Sequence, residues 1–126
     1  LLDQQAIDVQ FPIMEQRDMS AIIGTPLASG RLAGAPIADA AVAEKVSGIR
    51  ALCEKFNTDI IAASLQFPLA HPRVSCIIPG SANARESQQN KELLDSKVPG
   101  DLWRSLKEAG LLRSDAPTPG NSDGKL

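Results

Sequence analysis

The sequence predicts an α/β fold with parallel strands, and three observations carry that prediction. Two short runs, Met19-Ser-Ala-Ile-Ile-Gly24 and Val74-Ser-Cys-Ile-Ile78, are rich in Ile and Val, as strands buried on both faces are. Each run passes straight into a loop of Gly, Ser, Ala and Pro, and an amphipathic helix follows each loop. A helical crossover between two such strands returns the chain to the same end of the sheet, so the pairing is expected to be parallel.

Taken in order, residues 1–16 are helix-tolerant but carry Pro12, which predicts a short broken helix. The first strand follows, closed by Gly24, Thr25 and Pro26. The loop from Thr25 to Pro36 is too rich in Gly and Pro for regular structure. Between Ile37 and Asn57, Val42, Val46, Ile49, Cys53 and Phe56 recur at steps of four and three, while Glu44, Lys45, Arg50 and Glu54 face away. That spacing predicts one long amphipathic helix. A second, shorter helix is expected from Asp59 to Gln66, capped by Thr58 or Asp59 and ended by Phe67 and Pro68. The second strand, 74–78, leads into Pro79-Gly-Ser-Ala82. Asn83-Ala-Arg-Glu86 has the spacing of a capping box, so a helix should run from Ala84 to about Leu94 with its N-terminus at the Gly80-Ser81 loop. A last amphipathic helix is expected from Asp101 to about Ala109, stopped by Gly110. Residues 114–126 are Pro, Gly, Ser and Asp in large part and read as a disordered tail.

Composition narrows the function. The 126 residues fit one domain, and 43% hydrophobic with 22% charged residues is an ordinary globular composition. The 13 basic and 15 acidic residues are spread along the chain and leave a formal net charge of -2, so nucleic acid and anionic membranes are not expected partners. No run reaches the roughly 18 apolar residues of a membrane helix, and the N-terminus lacks a signal-peptide pattern, which makes a cytoplasmic location the expectation. Cys53 and Cys76 lie in apolar stretches and read as buried free thiols. There is no tyrosine and one histidine, so a Tyr acid or a His pair is not encoded, and neither a catalytic residue nor a metal set is assigned. His71, alone in a turn, and Trp103, beside an apolar helical stripe, read as structural.

In parallel α/β folds the loops at the C-terminal ends of the strands carry function. Here both loops are made of small residues, which let a bulky anion approach the backbone, and the second feeds a helix N-terminus. Those features point to a nucleotide or phosphate site. The alternative stays open at this level, because Gly and Ser are common in such turns and neither loop matches a P-loop or GxGxxG. Two strands also fall short of the usual four to six or so in a sheet.

The strings Thr25-Pro-Leu-Ala-Ser-Gly-Arg-Leu32, Ala62-Ala-Ser-Leu-Gln-Phe-Pro-Leu-Ala-His-Pro72, Ile78-Pro-Gly-Ser81 through Asn90, and Leu102-Trp103 through Leu112 resemble the C-terminal part of the aldo-keto reductase superfamily. The likeness is greatest to the branch containing L-fucose dehydrogenase and D-threo-aldose 1-dehydrogenase. It implies that residues 1–113 are the end of a (β/α)8 TIM barrel, from helix six to the terminal helix, in proteins of about 250 residues or more. By the same resemblance, the catalytic Asp, Tyr, Lys and His lie in the other part of the barrel, and this chain holds the half of the site that grips NAD or NADP. Pro26, Leu27, Ser29 and Gly30 would lie along the pyrophosphate. Gly80, Ser81, Ala82, Glu86, Gln89 and Asn90 would hold the adenosine end.

The chain departs from the family pattern at Ala82, where relatives often carry Arg, at Glu86, often Gln, and at Gln89, often Glu. A carboxylate near the ribose would repel a 2′-phosphate and accept from a 2′-hydroxyl. The expected function is therefore that of a fragment of an NAD(P)-dependent oxidoreductase acting on a sugar or small carbonyl compound. The alternative is a noncatalytic partial barrel that self-associates through strand edges at Ile22 or Ile77.

Overall fold

The computed structural model describes residues 1–120. It is an α/β arrangement of five α-helices, two 3-10 turns and a two-stranded parallel sheet. The expected broken N-terminal helix is a 3-10 turn at Gln5–Ile7 followed by α1, Gln10–Gln16. Pro12 sits in the first turn of α1, where its missing N–H has no helical partner to lose. Strand β1, Ala21–Ile23, leads into the first small-residue loop, which contains a 3-10 turn at Arg31–Ala33. Helix α2, Ala40–Lys55, is capped by Asp39, whose carboxylate accepts from the Val42 N–H at 2.9 Å. It buries Val46, Ile49 and Cys53, the middle of the stripe read in the sequence.

Helix α3, Ile60–Leu69, is the centre of the molecule. Asp59 caps it, accepting from the Ile61 N–H at 2.7 Å, and every residue from Ala62 to Phe67 is buried. The helix runs past Gln66, where the sequence reading ended it, because Pro68 falls in the last turn and forfeits little of the backbone ladder there. Strand β2, Val74–Ile77, follows and pairs parallel with β1, in the register Ala21↔Val74, Ile22↔Cys76 and Ile23↔Ile77. Helix α4, Ala84–Leu94, and helix α5, Gly100–Glu108, are the last elements among the described residues.

The main core lies between helices, not under the sheet. Ile49 and Cys53 of α2, Ala63 and Phe67 of α3 and Leu102, Trp103 and Leu106 of α5 form one cluster, into which Leu32 inserts from the first loop. Trp103 packs at 6.2 Å from the Phe67 ring, as the structural reading of that residue expected. A smaller cluster of Phe11, Ala21 and Val74 covers one face of the strand pair.

The expectation of strands buried on both faces is corrected by the other face. Ile22 is 63% exposed, Ile78 is 58% exposed, and Cys76 is exposed instead of buried. Burial on both faces needs a second covering layer, and two strands with helices on one side do not supply it. Residues 121–126 of the expected disordered tail lie outside the described residues. The described part packs on the core, with Ala116 and Thr118 at 1% and 2% exposure.

Candidate functional site

Parallel pairing sends both small-residue loops to the same end of the sheet, and there they face each other across a cleft of about 510 Å³. The first wall is the loop after β1. Ala28, Ser29 and Gly30 take left-handed backbone angles in succession, with φ of 52°, 57° and 82°. For Ala and Ser this conformation is unfavourable by about 1 kcal/mol or more each, so the surroundings must hold it. They do so through backbone bonds: Ala28 N–H to the Thr25 carbonyl at 3.0 Å, Leu32 N–H to Leu27 at 3.3 Å, and Ala33 and Ala35 N–H both to Gly30 at 2.9 Å. Leu32, fully buried in the core, anchors the far side of the turn.

The second wall is the loop after β2 with the first turns of α4. Its shape comes from side chains. Asn83 accepts from the Glu86 N–H at 3.0 Å, and Glu86 reaches back to accept from the Ala82 N–H at 2.7 Å and from Asn83 Nδ2 at 3.2 Å. The N-cap half of the capping box read in the sequence is formed, while Glu86 reaches one residue further back, to the Ala82 N–H instead of the Asn83 N–H. One consequence differs from the expectation of a free helix N-terminus: the Glu86 carboxylate itself occupies the place where an external anion would gain from the helix dipole. Further along, Asn90 Nδ2 approaches the Gly80 carbonyl at 3.4 Å, tying loop to helix.

Of the ten positions singled out in the sequence, Pro26, Leu27, Ser29, Gly30, Gly80, Glu86, Gln89 and Asn90 line this one cleft. Ser81 and Ala82 are exposed and lie outside its lining. Gly24, Thr25, Ala33 and Ile61 also line it and were not singled out. Thr25 had a signal, being the first residue of the quoted loop string. Ile61 enters from the first turn of α3, and no local pattern announces it.

The lining offers a hydroxyl at Thr25 and at Ser29, carboxamides at Gln89 and Asn90, and a single charge, Glu86. Donors and acceptors mixed with small apolar surface suit a nucleotide better than a simple anion, which needs cations. Thr25, Pro26 and Ser29 also line a neighbouring cavity of about 500 Å³ beside Phe67 and His71, so the first loop is a wall shared by two cavities. In that second cavity His71 stacks on Phe11 with ring centroids 3.7 Å apart, and its Nδ1 accepts from the Arg73 N–H at 3.2 Å. Both ties suit its reading as a structural residue.

The two thiols differ. Burial, reinforced by Asp59, pushes the Cys53 thiol up to about 11, which makes it inert, whereas Cys76 faces solvent on the open side of the sheet. Among the described residues, no helix is long and apolar enough to cross a membrane.

No family model matches the sequence. Among curated proteins, the chain is 29% identical over 122 residues to pyridoxal 4-dehydrogenase of Microbacterium luteolum, a match covering 89% of this chain and 35% of that protein. It is 32% identical over 76 residues to D-threo-aldose 1-dehydrogenase of a Pseudomonas species, covering 60% of this chain and 22% of that protein. The chain thus spans about a third or less of the length of these relatives. These matches support the resemblance carried by the two loop strings: the chain is similar to the C-terminal part of the aldo-keto reductases, on the branch that contains D-threo-aldose 1-dehydrogenase.

Proposed function

We propose that residues 1–113 form the cofactor-binding portion of an NAD- or NADP-dependent oxidoreductase whose substrate is a sugar or another small carbonyl compound. The observation that carries this reading is the convergence of two loops, 54 residues apart in sequence at Gly24 and Ile78, on one cleft lined by eight of the ten positions that the resemblance assigns to the cofactor. The names of both relatives, each a dehydrogenase, support the same class.

The residues fit the group. Ser29 and the backbone of the first loop would lie along a pyrophosphate, with Gly30 leaving room for its close approach. Gln89 and Asn90 can each donate and accept, which suits the edge of an adenine. When bound, the nicotinamide supplies the hydride chemistry, and this chain orients the cofactor and excludes water from its adenosine end. Without tyrosine, the chain offers no Tyr acid, and proton transfer belongs to residues outside it.

Isothermal titration of the chain with adenosine diphosphoribose, which carries the pyrophosphate and adenosine parts alone, tests the reading. Saturable binding at one site per chain is expected. An absence of heat and of any change in the chain's spectrum would contradict it.

A second reading has its own observation. The open sheet face at Ile22 and Cys76, with an unpaired edge on each strand, would let a noncatalytic form pair with another copy. Light scattering that shows a defined dimer without dinucleotide binding would favour it.

A further inference from the structure

We infer that the cavity beside Phe11 and His71 is a second ligand site, which takes a small carboxylate with a flat apolar body such as an aromatic ring. The inference stands apart from the cofactor reading, because this cavity and the cleft have only Thr25, Pro26 and Ser29 of the first loop in common.

Shape is the first ground. The cavity holds about 500 Å³, within the range of roughly 300–1,000 Å³ usual for small-ligand pockets. Aromatic side chains bound it: Phe67, and the Phe11 and His71 rings stacked 3.7 Å apart with 16° between their planes. Such rings suit a flat apolar body. Charge is the second ground. Two charged side chains line the cavity, Asp3 and Arg31, and they are not equivalent. The Asp3 carboxylate already accepts from the Gln5 N–H at 3.0 Å. The exposed Arg31 guanidinium has neither a hydrogen bond nor an ion pair among the described residues, so the uncommitted charge is the positive one. The third ground is the supply of donors. The Thr25 and Ser29 hydroxyls likewise serve no other group among the described residues. At His71, burial disfavours the protonated ring, and Nδ1 is engaged by the Arg73 N–H, which leaves the ring proton on Nε2 without a partner among the described residues. A carboxylate accepts from several such donors at once, and its charge-assisted bond to a guanidinium is about twice as strong as a neutral one.

The experiment titrates the chain with benzoate and with benzamide, its neutral counterpart of the same shape, and follows amide chemical shifts. Benzoate should move Phe11, Ser29, Arg31 and His71 together along one saturating curve, with Gly80, Glu86 and Gln89 of the cleft unmoved. Benzamide should bind at least about fivefold more weakly. In Arg31→Gln, a change at an exposed and unpaired side chain, benzoate should weaken by a similar factor while benzamide binds as before. Circular dichroism checks that the variant keeps its helix content, and the comparison of the two probes in wild type stands whether or not it does. The absence of a saturating curve, benzamide binding as tightly as benzoate, an affinity unaltered in Arg31→Gln, or shifts centred on Gly80, Glu86 and Gln89 would each overturn the inference. Adenosine diphosphoribose tests the cleft separately, so either reading can fail without the other.

Discussion

The two walls of the cleft are built by different means. The first, residues 24–34, is fixed by its backbone and by the core: three successive left-handed residues, a set of internal backbone bonds and the fully buried Leu32 leave it little freedom. The second wall has no buried residue anywhere in α4. It hangs on polar ties at its two ends, the Asn83–Glu86 box at one and Gln66 at the other. Gln66 Nε2, from the buried centre of α3, donates toward the carbonyls of Leu93, Leu94 and Ser96 at 3.3, 3.0 and 2.7 Å, at and just past the C-terminal end of α4. A wall set by core packing can change little without unfolding. A wall set by exposed side chains can change its charge at small cost in stability.

Breaking the first wall should have the largest effect. Leu32→Ala leaves a cavity among α2, α3 and α5 and should cost about 2–5 kcal/mol of unfolding free energy, read as a lower urea midpoint with an unchanged slope. An effect below about 0.5 kcal/mol would mean that Leu32 does not anchor the loop.

Cutting the Gln66 tie comes next. Gln66→Leu removes the donor to the C-terminal end of α4 and should cost about 1–3 kcal/mol. Its signature is local: amide hydrogen exchange should accelerate in α4 and stay unchanged in α2. Equal acceleration in both helices would show that α4 is not held separately.

The smallest effect is that of pH at His71. Burial holds its imidazole below the usual histidine range, more than Glu15 can offset. The unfolded chain therefore takes up the proton first, and the contribution of His71 to stability, present above about pH 6.5, declines as pH falls through that value. His71→Gln should flatten this slope in a series of urea midpoints. An unaltered slope would assign it to other groups.

Much of this architecture is legible in the sequence, for identifiable reasons. The apolar stripe of α2, the Asp59 cap of α3 and the Asn83–Glu86 box of α4 are local patterns, and local patterns determine local hydrogen bonds. The two loops were legible because small residues after an apolar run mark the turn at a strand's end. What depends on distant packing was not. The exposure of Ile22 and Cys76 reflects what covers the sheet, and the runs that contain them look the same with or without a cover. The role of Gln66 is equally hidden, since one amide in an apolar string gives no hint that its partners lie about 28 residues on. Pro68 marks the end of α3 only to within a turn, because a proline in the last turn leaves the helix free to run on to Leu69.

Whether both walls grip one ligand is tested most directly by amide chemical-shift mapping of the chain with NAD. If they do, Ser29 and Gly30 in the first wall and Gly80, Glu86, Gln89 and Asn90 in the second shift together along a single binding curve. Shifts confined to one wall, or centred on Phe11 and His71 in the neighbouring cavity, would contradict a joint grip.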